Sequence, residues 1–116
     1  MKDLEPPIQN LDAFDIVGVR KDGGVDPVVS CSGPLDSSTA TLSLIEHKVR
    51  AYLVTIAHEN FARIYPAAEF GPVRILISCE HYVSGAAREL IDSLGVTASK
   101  QGVSLSLVSS MAERSN

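Results

Sequence analysis

Hydrophobic positions along this chain follow two rhythms. From Leu11 to Arg20, in LDAFDIVGVR, apolar and polar residues stand at near-alternate spacing; after the turn-forming KDGG, the run VDPVVSCS resumes the alternation. That pattern predicts a β-hairpin. Pro27 has no amide proton to offer a ladder, so the second strand is expected to lie at a sheet edge or to begin at the proline. The rhythm then lengthens: Leu42, Ile45, Val49, Tyr52, Leu53, Ile56 and Ala57 recur at steps of three and four, the apolar stripe of one long helix facing a core. Asp36, Ser37 or Ser38 is placed to cap it, and Tyr65-Pro66 to stop it. Glu46, Lys48, Arg50 and Glu59 fall off the stripe and read as solvated, with Glu46 and Arg50 paired one turn apart.

PVRILISC is short, apolar and β-branched, as expected of a strand covered on nearly both faces. Ser84 is placed to cap a second helix whose buried side would be Val83, Ala87, Leu90, Ile91, Leu94 and Ala98, and Gly102 to end it in a left-handed turn. VSLSLV alternates as the last strand. The order β-β-α-β-α-β predicts an α/β fold of the two-layer α+β kind, a mixed four-stranded sheet with two helices packed on one face. The opposite face then lacks a cover. Val17, Val19, Ile75 and Ile77 lie in phase along their strands, and a homodimer would bury any apolar residues exposed there.

Composition narrows the picture. A chain of 116 residues that is 45% hydrophobic suits one compact domain. Glu5-Pro6-Pro7 excludes helix, so residues 1–10 are expected as an extended arm on the surface or against a partner, 11–109 as the domain and 110–116 as a frayed tail. The net charge of -4 is dispersed, without a basic block, which argues against nucleic acid as a partner. No run approaches the roughly 18 apolar residues of a membrane helix and the start lacks a signal-peptide core, so no membrane partner and a cytoplasmic location are expected. Cys31 and Cys79 are too few for a disulfide framework. A bridge between them requires that their strands be neighbours.

Candidate chemistry gathers in ISCEHYVSG, residues 77–85. Cys79, Glu80, His81 and Tyr82 stand at the carboxyl end of a strand, just before a helix N-terminus, where ligands of α/β sheets bind and where a thiol is acidified. If the strand extends that far, Cys79 and His81 project to one face with backbones roughly 6 to 7 Å apart. Cys79, Glu80 and His81 are therefore the candidates for a thiol-dependent enzyme or a metabolite-binding site. The plainer account makes Cys79 a small core hydrophobe and His81 a solvated loop residue. His47 and His58 share a helix side but lie roughly 16 Å apart along its axis, too far for one metal ion. KDGGVD lacks the GxGxxG and P-loop spacings, Asp12, Asp15, Asp26 and Asp36 form no spaced carboxylate pair, and GxSxG is absent. No metal or cofactor is expected. The absence of a convergent polar motif favours a non-enzymatic domain acting by protein–protein contact, as a homodimer or as a regulatory or immunity-like module.

The segments FDIVGVRKDGGVDPVVS, LSLIEHKVRAYLVTIAHENFARIYP, VRILISCEH and GVSLSLV, taken in that order, resemble a small uncharacterised bacterial domain family of about a hundred residues that stands alone. The shared pattern is an acidic-glycine hairpin, a long helix bearing Lys48, Ala51-Tyr52-Leu53 and Ile56, a Tyr-Pro stop and a strand-helix-strand tail. The resemblance runs from Phe14 to Val108 and implies fold and spacing, with no activity to carry over. This chain departs from the pattern after the second strand, where CSGPLDSST replaces an acidic-aromatic stretch with tryptophan.

Overall fold

The computed structural model describes residues 6–21 and 23–108. Strands β1 (Ile16–Val19), β2 (Val25–Ser30), β3 (Val73–Ser78) and β4 (Val103–Val108) form one sheet in the order β1-β2-β3-β4. β1 and β2 make an antiparallel hairpin, while β2, β3 and β4 run parallel. The connections are α1 (Thr39–Ala57), followed by a short α2 (Asn60–Ile64) and a 3-10 turn, and then α3 (Gly85–Ser99). This is the mixed four-stranded α+β sheet expected from the chain pattern.

Strand alternation sends Val29, Ile75, Ile77 and Val103 to the helix-covered face, where each is 3% exposed or less. There they share one core with Ile45, Val49, Tyr52 and Leu53 of α1 and with Ala87, Ile91, Leu94 and Ala98 of α3. Ile75 and Ile77 are thus inward residues; the outward apolar residues include Ile16, Val28 and Leu76, aligned by Ile16↔Val28 and Val28↔Leu76 pairing. Charge interrupts that open face, since Asp26 holds both Arg20 and Arg74 there.

Three expectations need correction. Pro27 lies within β2, which is an interior strand. The β2–β3 ladder pairs Val25 with Val73, skips Asp26 and Pro27, and resumes at Val28↔Leu76. The gap falls where the proline has no donor to give, and Asp26 spans it by accepting from Nε and Nη2 of Arg74 at 3.0 and 2.8 Å. The arm expected on the surface or against a partner is, over its described residues 6–10, also packed onto the domain. Ile8 is 1% exposed within the core, and Ser32 N–H donates to Pro7 O at 2.8 Å. The expected tail, residues 110–116, lies outside the described residues.

The long helix is the third correction, because it breaks at His58, whose ψ of 142° is extended. The chain restarts as α2 and turns Phe61 inward, 6.0 Å from the ring of Phe14. A continuous helix would not aim the ring there, so tertiary packing overrides the local periodicity. Elsewhere the local signals act as expected. Ser38 Oγ accepts from Thr41 N–H at 3.2 Å and Ser84 Oγ from Ala87 N–H at 3.1 Å, capping α1 and α3. In the hairpin turn Gly24 has a φ of 102°, and a Cβ there would meet Pro72 O at 2.6 Å and the Arg20 guanidinium. Only glycine allows that turn to lie against the backbone leading into β3.

Candidate functional site

β3 ends at Ser78, so Cys79 sits one residue beyond it, with its N–H donating to Val108 O at 3.1 Å. The Cys79 side chain is fully buried, and its thiol donates to the carbonyl oxygens of Gly33 and His81 at 3.7 and 3.6 Å. His81 meets the thiol through its backbone. The side chains of Glu80, His81 and Tyr82 are exposed. The loop that carries them is tied to the segment before α1, since Leu35 N–H donates to Tyr82 O and Ser84 N–H to Leu35 O, each at 2.8 Å. At the N-terminus of α1, Asp36 accepts from the hydroxyl and N–H of Ser38 at 2.6 and 3.0 Å, which holds its carboxyl below the usual carboxylate range. That position already carries a negative charge, so it does not invite an anion.

Beside Cys79 lies Cys31, which the candidate set did not include. The β2–β3 pairing continues one step past Ser30↔Ser78, with Cys31 N–H donating to Ser78 O at 3.0 Å. Burial pushes the half-buried Cys31 thiol up to about 12, with the adjacent Cys79 thiol and the Asp15 carboxylate adding to the rise and Lys48 opposing it. Both cysteines are free.

A polar network adjoins them, and it overturns the surface reading of Lys48. That side chain has no solvent exposure. Its Nζ donates to Gln9 O and Asn10 O at 2.7 Å each, to Ala13 O at 2.9 Å and to Asp15 Oδ1 at 2.9 Å. Asp15 Oδ2 accepts from Ser30 N–H at 2.9 Å, while Tyr52 Oη accepts from Asp15 N–H and donates to Val28 O. Burial pushes Tyr52 up to about 12. The sequence signal for Lys48 was its spacing: three residues after Ile45 and four before Tyr52, it lies on the inward stripe. A charged head there needs partners, and the N-terminal carbonyls provide them.

The histidines stay apart. His47 meets Asp12 at 3.0 Å on the surface, and His58 Nδ1 accepts from Asn60 N–H at the break after α1. Among the described residues no three His, Cys, Asp or Glu side chains are grouped to hold a metal ion. Among the concave features of the described residues is an apolar groove between the end of α1 and α2, lined by Phe14, Val54, Phe61, Ile64 and Tyr65 together with His58 and Asn60. Val54 is 71% and Ile64 66% exposed there.

A family model described as a family of unknown function (DUF6572) matches residues 7–111. No curated protein and no solved structure matches the chain.

Proposed function

The chain belongs to the family DUF6572, and we propose that it is a non-enzymatic cytoplasmic domain acting by protein–protein contact, as a homodimer or as a regulatory or immunity-like module. The observation that carries this reading is the groove of Phe14, Val54, Phe61, Ile64 and Tyr65, whose two outermost aliphatic side chains stand in water. Large apolar side chains grouped on a concave surface mark contact sites more often than isolated ones do. The ionisable groups nearest the core support the same view. Lys48, Asp15 and Tyr52 are satisfied by one another and by backbone, and the Cys79 thiol faces carbonyls rather than a base. A thiol-dependent enzyme or metabolite site built on Cys79, Glu80 and His81 therefore has less support. No helix among the described residues is long and apolar enough to cross a membrane, and the dispersed charge of -4 disfavours nucleic acid.

Light scattering on the purified chain tests the reading. The expected mass is that of two chains, and Val54→Asp or Ile64→Asp is expected to give a folded monomer. A wild-type monomer that also recovers no protein in pull-down overturns it.

A further inference from the structure

We infer that Cys31 and Cys79 form a reversible disulfide, a covalent modification site that clasps the carboxyl ends of β2 and β3. Three observations carry it. First, the strands are neighbours, and the two cysteines continue the register set by Val29↔Ile77 and Ser30↔Ser78. Adjacent strands lie about 4.8 Å apart, inside the Cα separation of about 4.4 to 6.8 Å that a disulfide bridges. Second, strand parity sends both side chains to the helix face, Cys31 following Val29 and Cys79 following Ile77, and both pack on the core. Third, the last regular pair is Ser30↔Ser78, so the cysteines sit where the ladder opens into loops and a small rotation can close the bond.

Access sets the order of events. Cys31 is half-buried and reachable, whereas Cys79 is sealed. With a hydroperoxide as oxidant, the Cys31 thiolate attacks the peroxide oxygen; the S–O bond forms, the O–O bond breaks, and the departing alkoxide leaves as an alcohol, or as water from hydrogen peroxide. Cys79 then attacks the sulfenic sulfur; the S–S bond forms, the S–O bond breaks, and the leaving hydroxide takes the thiol proton as water. Two thiols lose two protons and two electrons, and the peroxide is reduced by the same two electrons. The first step is slow at neutral pH, because the thiolate is the nucleophile and Cys31 is pushed up to about 12. Its rate is expected to rise about tenfold per pH unit below that value. The second step is intramolecular and outruns further oxidation of Cys31.

The bond would join two segments already held together at Leu35 and Val83, closing a ring that includes the approaches to α1 and α3. This site is independent of the contact surface proposed above and survives if the chain proves monomeric.

The test uses the reduced, full-length wild-type protein, so it does not depend on a variant folding. It is treated with hydrogen peroxide at pH 7, 8 and 9, alkylated and mapped by mass spectrometry. The expected result is loss of two hydrogen atoms per chain, a peptide pair linked through Cys31 and Cys79, a rate rising about tenfold per pH unit, and return of both thiols with dithiothreitol. Cys31 sulfinic acid beside a free Cys79, dimers linked through Cys31, or two unchanged thiols would each overturn the inference.

Discussion

An ammonium group removed from water must find oxygen atoms inside the protein, and Lys48 finds four: three carbonyls from residues 9–13 and one carboxylate oxygen of Asp15. Lys48→Met keeps the length of the stem but strands those oxygens without their donor. The expected cost is about 3 to 5 kcal/mol, that of breaking a buried charge pair from one side, read as a lower urea midpoint. The thiol and phenol beside this network govern the alkaline limit. Cys31 and Tyr52 are acids raised from 9.0 and 10.0 to about 12 each. Their contributions are complete below the ordinary values and are lost as pH rises through the folded ones. Denaturant midpoints are therefore expected to fall between pH 9 and pH 12, with a shallower fall in Cys31→Ser over the lower part of that window.

At the scale of elements, β2 depends on the side chain next to its proline. Asp26 accepts from Arg74 across the gap in the β2–β3 ladder and also pairs with Arg20 at the end of the hairpin. The Arg74 hydrogen bonds, opposed by burial and helped by the charges of Arg20 and Arg74, hold its carboxyl below 3.8. A carboxylate depressed in the folded state stabilises above its unfolded value and loses that contribution as pH falls through the folded one. Wild-type stability is therefore expected to decline below about pH 4 with a component that Asp26→Asn lacks, and an acid titration followed by circular dichroism separates the two. The strand itself was legible in VDPVVS, and so was the presence of a proline problem. Its solution was not, because that required Arg74, which is 48 residues away and reaches Asp26 only when β3 lies beside β2.

For the whole molecule, the described part of the N-terminal arm, residues 6–10, is anchored in the core through Ile8. Ile8 is 1% exposed and belongs to the same cluster as Tyr52, Ile75 and Leu94. Ile8→Ala is expected to cost about 2 to 5 kcal/mol, the usual range for such a truncation in a core, whereas a surface arm would lose almost nothing; thermal unfolding distinguishes the two. The arm was hard to read because Glu5-Pro6-Pro7 states only what the backbone avoids. A single isoleucine among polar residues carries no periodicity from which burial follows.

Local chemistry determined the elements of this protein. Alternation in VSLSLV, the three-and-four stripe from Leu42 to Ile56, the serine caps at Ser38 and Ser84 and the left-handed glycine at Gly102 each act within a few residues, and each appears where the chain pattern put it. The tertiary structure decided which side chains meet. It buried Lys48 because the arm supplies carbonyls at its end, broke the long helix so that Phe61 reaches Phe14, and set Cys31 beside Cys79 because β2 and β3 are parallel neighbours. Those meetings join residues dozens of positions apart. Hydrophobic periodicity specifies the face of an element, while its neighbours are selected only when all the faces are buried together.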